Sequence, residues 1–252
     1  MRGIYTASGS MLTNQARLEN IGNNISNLHT PGYKRSEAAV RTFPEVLLHR
    51  TEKTPGGSSV ISSPIGVTAE NTAVDENYRV DTQGSLRATD RKLDFALQGE
   101  GYFAVETPQG IRYSRDGHFR LDAEGTLVNS MGFAVHGENG PISLNTEKPE
   151  VDQDGNIYQD GAIVDQLQIF NADGQMFLKE GYNLYLAGPG AALVPAIDIS
   201  VFQGHLEESN ADLGKQMTDL VKVRRSYEAA QKTAQVYDRL LSRSANELGT
   251  LG

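Results

Sequence analysis

The chain has 252 residues, of which 38% are hydrophobic, and a formal charge of −9. That length suits one large domain or one domain with extensions, and no apolar run is long enough for a membrane span. With no cysteine anywhere, disulfides, thiolate metal sites and cysteine nucleophiles are excluded, and without a basic stripe nucleic acid is a poor candidate partner.

In the first segment Ile4, Met11, Leu18 and Ile25 recur every seven residues, interleaved with Ala7, Asn14, Ile21 and Leu28. This spacing predicts a heptad helix from about Gly3 to Leu28, stopped by Thr30-Pro31-Gly32. Polar Ser8, Ser10, Thr13 and Asn14 interrupt the region where an apolar signal core would lie, so no secretory signal peptide is expected. Asn20, Asn23, Asn24 and Asn27 form an amide stripe opposite the seam. Asn is a mediocre helix former, and a helix facing only water more usually carries Glu, Lys and Arg there. Two readings stand: local caps at a fraying helix end, or uncharged donors and acceptors against a protein surface.

Residues 31–77 read as a mixed connecting segment. Val40 to Leu48 fits a strand or a helical turn, and Thr54-Pro55-Gly56-Gly57-Ser58-Ser59 reads as a flexible loop. Residues 78–203 read as a central, mainly antiparallel β domain. There Leu93, Phe95 and Leu97 alternate with Asp94, Ala96 and Gln98, as in a half-buried strand. Turn signals recur at Asp116-Gly117, Glu124-Gly125, Asn139-Gly140-Pro141, Asp154-Gly155, Asp160-Gly161, Asp173-Gly174 and Gly188-Pro189-Gly190.

Residues 204–252 read as a second assembly helix, with Ser209 as N-cap, Asp212 three residues on, and Gly249 as terminator. Leu213, Leu220, Tyr227, Ala234, Leu241 and Leu248 keep a heptad period, interleaved with Val223, Ala230 and Tyr237. At about 1.5 Å per residue this helix is roughly 55 Å long, too long for a small globule to bury alone. If the terminal helices pair within the chain they run antiparallel. The expected class is α+β, with long N- and C-terminal α-helices as an antiparallel coiled-coil unit. The charge follows the same division: residues 1–34 sum to +2, residues 205–252 to zero, and the middle to −11. Near-neutral helices can pack on copies of themselves, while an acidic middle stays solvated.

Enzymatic readings fail. Asp152-Gln153-Asp154-Gly155-Asn156 resembles the opening of a calcium loop, but Ile157 and Ile163 stand where that loop needs Gly and Glu. A tight turn is the better reading. Gly99-Glu100-Gly101 is followed by Tyr102-Phe103 where a nucleotide-binding helix should begin. His29, His49, His118, His136 and His205 show no metal-ligand spacing. No catalytic residue, metal or cofactor is expected.

Five blocks together resemble the bacterial flagellar basal-body rod and hook family. They are Asn23-Asn24-Ile25-Ser26-Asn27 with Thr30-Pro31-Gly32-Tyr33-Lys34; Leu93 to Phe103; Tyr113-Ser114-Arg115-Asp116-Gly117-His118-Phe119; Gly204-His205-Leu206-Glu207-Glu208-Ser209-Asn210; and Arg225-Ser226-Tyr227-Glu228-Ala229-Ala230. Gly22, Ser26 and His29 depart from the family pattern, which more often has alanine, alanine and asparagine. One β domain between terminal helices is most similar to the distal rod subunit, or to the proximal subunit carrying the same domain. The resemblance implies a structural subunit that self-assembles into a helical tube, with copies of itself and other rod and hook subunits as partners. It implies export by the flagellar type III apparatus and a place in the basal body, with no membrane insertion. A secreted coiled-coil adhesin or adaptor is the alternative. Assembly residues are then expected at Ile4, Met11, Leu18, Ile21, Asn23, Asn24, Ile25, Asn27 and Leu28. On the second helix they are Leu213, Leu220, Val223, Tyr227, Ala230, Ala234, Tyr237 and Leu241.

Overall fold

The computed structural model describes residues 2–42, 46–53, 60–68, 72–146, 148–171, 177–196 and 198–249. The loop expected at 54–59 and the Asp173-Gly174 turn lie outside them. The chain divides into two compact units: one of Met1–Asn23, Ser36–Tyr78 and Gly214–Gly252, the other of Asn24–Arg35 and Arg79–Leu213. The class is α+β, a helix at each end and a β-rich centre.

The first unit holds most of both helices, α1 (Arg2–Ser26) and α2 (Leu213–Gly249). From Lys215 onward α2 has no Pro or Gly before Gly249, and its Ala, Gln, Lys, Arg and Leu content favours helix throughout. Asn14 Nδ2 donates to Ser226 Oγ at 3.1 Å. A Cβ added at Gly3 would run into the Tyr237 ring. The eleven residues from Gly3 to Asn14 match the eleven from Tyr237 back to Ser226, so the helices run antiparallel where these contacts lie. The ambiguous stretch around Val40 is strand: Ser36–Thr42 pairs with Thr72–Arg79, and Val46–Lys53 forms an antiparallel hairpin with Val60–Thr68.

In the second unit the pairings among described residues are antiparallel, as the frequent turn signals anticipate. A ten-stranded sheet runs, in spatial order, through Phe177–Gly181, Leu184–Ala187, Gly110–Ser114, Tyr102–Thr107, Ala134–Gly137, Leu127–Val128 and Arg120–Leu121, with three short strands branching from it. Successive side chains of Tyr102–Thr107 point to opposite faces. Phe103 and Val105 join the main core with Phe95, Leu97, Phe119, Leu127, Val135 and Ile142. Tyr102 and Ala104 join a second, aromatic cluster with Tyr113, Phe177 and Tyr185. Sheet faces covered on both sides also explain a departure from the expected half-buried strand. Asp94 and Ala96 are as buried as Phe95 and Leu97, because Phe95–Gln98 pairs with Ser200–Gln203 while Asp94 accepts from Thr89 Oγ1 at 2.8 Å and pairs with His118 Nδ1 at 2.9 Å.

One turn is used three times. The side-chain oxygens of Asp122, Asn129 and Asp152 each accept the backbone N–H groups two and four residues on. Each turn has a glycine at its fourth position with positive φ: Gly125 at 83°, Gly132 at 86° and Gly155 at 82°. The acidic or amide side chain closes the turn and only glycine adopts the fourth conformation without strain. The Asp152 repeat is therefore the tight turn expected in place of a calcium loop.

Candidate assembly residues and a buried ionic junction

On α1 the interleaved heptad positions face inward. Ala7, Asn14 and Ile21 are buried, whereas Ile4, Met11, Leu18 and Ile25 are half-buried, as is the interleaved Leu28 beyond the helix end at Ser26. On α2 the least exposed stripe is Gln216, Leu220, Val223, Tyr227, Ala230 and Ala234, stepping by four and three residues. The stripe coincides with the expected seam over its middle. It adds Gln216, 4% exposed, which an apolar pattern overlooks. Leu213, Tyr237 and Leu241 are exposed, as are Met217, Val221, Val236 and Leu240 beyond the seam.

The four members of the amide stripe behave differently. Asn20 donates to Asn77 Oδ1 at 2.8 Å, inside the first unit. Asn24, 2% exposed, accepts from the Tyr33 hydroxyl at 3.1 Å, inside the second. Asn27 accepts from Thr30 Oγ1 just past the helix end, and Asn23 is exposed.

Four of the blocks that carry the family resemblance converge in the second unit. Gly32 has φ +64°, and a Cβ there would collide with the Arg115 and Asp116 backbone, so the turn after α1 can lie flat only with glycine. Gly32 N–H donates to Glu207 O at 2.8 Å, and Asn183 Nδ2 donates to Pro31 O at 2.9 Å. Beneath it sits an ionic triad with nearly no exposed surface. Lys34 Nζ and Arg115 Nε each lie 2.6 Å from Glu207, on opposite carboxylate oxygens. Arg115 also donates to the carbonyls of Leu97, Gly99 and Gly101, and Lys34 to that of Thr82. Asn210 completes the junction: its Oδ1 accepts from Arg35 N–H, and its Nδ2 donates to Val80 O and Thr82 O. That commitment explains why α2 begins at Leu213 rather than beside Ser209.

Burial pushes the Lys34 pKa down, and the adjacent Glu207 recovers part of the loss. Burial disfavours the Glu207 carboxylate, yet Arg115 and Lys34 together hold it below the usual range. Asp116, next to the triad's arginine, is pushed up to about 6 by burial. The triad ties together the backbone segments that carry Lys34, Arg115 and Glu207. Sequence reasoning reaches Lys34, Arg115 and Glu207 only as members of motifs, without singling them out. The usable signal is a charged residue inside blocks otherwise rich in turn and core residues.

Comparison with known proteins accounts for this convergence. Residues 4–34 match the family model "Flagella basal body rod protein", residues 96–164 "Flagellar hook protein FlgE/F/G D1 domain", and residues 203–248 "Flagellar basal body rod FlgEFG protein C-terminal". The chain is 32% identical to the flagellar hook-basal body complex protein FlhO of Bacillus subtilis, with all of both chains covered. The chain belongs to the flagellar basal-body rod and hook family. It is also 32% identical to the basal-body rod protein FlgF of Caulobacter vibrioides, covering 97% of this chain and 96% of the relative. With FlgG of Agrobacterium fabrum it shares 33% identity, over 96% and 97%. Membership places this rod-family protein among the structural components of the flagellar basal body and sets the adhesin alternative aside.

Proposed function

We propose that the chain is a non-enzymatic building block of the rod, in its distal part, adding to a helical tube through its two terminal helices. The observation that carries this reading is the seam of α2. A stripe from Gln216 to Ala234 is partly covered, while apolar Leu213, Met217, Val221, Val236, Leu240 and Leu241 remain exposed along a helix of 37 residues. The antiparallel contacts of Asn14 with Ser226 and Gly3 with Tyr237 support a coiled-coil unit. Copies of this chain and other rod and hook subunits are the partners that would cover the remaining apolar surface, after export by the flagellar type III apparatus. The similarity to FlgG supports the distal position. A proximal position is the second reading, favoured by the 32% identity to FlgF against 33% to FlgG. Deleting the gene and imaging the basal bodies tests the assignment. A rod truncated near its outer end supports the distal reading, a rod stopped near the inner membrane supports the proximal one, and intact, rotating flagella would refute both.

A further inference from the structure

The second unit contains a cavity of about 440 Å³. Lys34, Arg115 and Tyr102 form its buried wall, and Asp81, Gln83 and Glu100 stand on its exposed side. Arg79 also lines it, and Asp81 holds that guanidinium through both carboxylate oxygens. Lys34 and Arg115, 3% and 4% exposed, share the single carboxylate of Glu207. On that carboxylate Oε1 accepts from Lys34 and Gly84 N–H, and Oε2 accepts from Arg115.

On the buried side of the wall two cations therefore face one carboxylate among the described residues, and the balancing Glu100 stands only at the exposed mouth. An ammonium has three protons to donate, and the described residues offer Lys34 two acceptors, Glu207 Oε1 and Thr82 O. Buried charges are stable when paired and hydrogen-bonded. A water molecule would take the third proton but leave the charge. A dianion would overshoot it and meet Glu100 at the mouth. A singly charged carboxylate matches both the spare proton and the missing charge. The cavity also falls in the size range of ligand pockets, with room for more than the carboxylate itself.

We propose that this cavity binds a carboxylate, carried by a free organic acid or by an acidic side chain of a peptide, with Lys34 as the donor. The proposal is independent of where in the rod the chain sits. It is tested on the full chain by following the side-chain N–H signals of Lys34 and Arg115 by NMR during titration at constant ionic strength. Acetate should produce a saturable shift with half-saturation at about 1–10 mM, as a single charge-assisted contact would give. Acetamide and chloride should not. Lys34→Met should abolish the response. Glu100→Gln alters an exposed residue outside the triad, so it keeps the test open if Lys34→Met does not fold. It should tighten binding about two- to threefold by removing one nearby charge. A blocked glycine–glutamate–glycine peptide that binds more tightly than acetate and succinate identifies a peptide source; the reverse order identifies a free acid. No saturable shift with any carboxylate, or an equal one with acetamide or chloride, would overturn the proposal.

Discussion

Glu207 is the residue on which the second unit's junction turns, because two buried cations depend on it. Glu207→Gln removes the charge but not the shape, stranding Lys34 and Arg115. Breaking one partner of a buried ion pair costs about 3–5 kcal/mol, so urea unfolding of the variant should show that loss or no folded second unit at all. A midpoint within error of wild type would show that the triad is not holding the segments. The acid response separates Glu207 from its neighbour Asp116. Glu207 has a folded pKa below its ordinary value of 4.5, so its contribution is complete above that pH and is lost as pH falls through the depressed value. Asp116 has the opposite sign. Its pKa rises from 3.8 to about 6, so the folded state holds a proton that the unfolded chain releases, and stability falls as pH rises through that window. Asp116→Asn should flatten the pH dependence between 4 and 6 and raise stability at pH 7 by up to about 3 kcal/mol. Unfolding midpoints measured across that range check it, and an unchanged slope would remove Asp116 as the cause.

At the scale of elements, the threefold turn makes a controlled comparison. Gly125 and Gly132 have nearly the same positive φ, but a Cβ at Gly125 would meet Leu144 O at 2.6 Å whereas one at Gly132 would meet nothing within 4 Å. Gly132→Ala should cost about 1 kcal/mol from backbone strain alone, and Gly125→Ala measurably more; equal losses would mean that the contact is relieved by a small shift. The helices, the β centre and most turns were legible in the sequence because heptads and Asp-Gly pairs act locally. The Asn129 turn was not, since Asn129-Ser130-Met131-Gly132 has no such pair and its resemblance to the other two lies in hydrogen bonding. Nor was the burial of Asp94, whose partner His118 lies 24 residues away, or that of Gln216, which no apolar pattern flags. The candidate seam was readable as a stripe, but not which of its positions the chain covers itself. Gly3 offers a test of that cover. Gly3→Val should disturb the helix contact by about 1–3 kcal/mol through overpacking, and Tyr237→Ala in the same chain should restore it. Helicity and rod incorporation would show the rescue, and two independent losses would separate the pair.

For the whole molecule the question is how far the two units depend on each other's packing, and the proposed function makes an asymmetric demand. The β-rich unit has its own core, built from Phe95, Phe103, Phe119, Leu127, Val135 and Ile142, each 1% exposed or less. No residue of α2 after Leu213 belongs to that unit. A charge placed on the α2 seam should therefore spare its fold while removing the surface available to neighbours. Leu220 is half-buried in the seam, and Leu241 is 44% exposed on the same stripe. A charged group facing a packed apolar interface must be desolvated without a partner, a loss of several kcal/mol, and in a polymer every copy repeats it. Leu220→Asp combined with Leu241→Asp should give an exported, soluble protein with wild-type near-ultraviolet circular dichroism and aromatic NMR signals, yet no rod and no motility. Leu241→Asp alone tests the part of the stripe that the chain leaves open, where a defect in assembly cannot be ascribed to the folded monomer. Motile cells carrying the double variant, with normal basal bodies in electron micrographs, would remove the helix from the assembly interface.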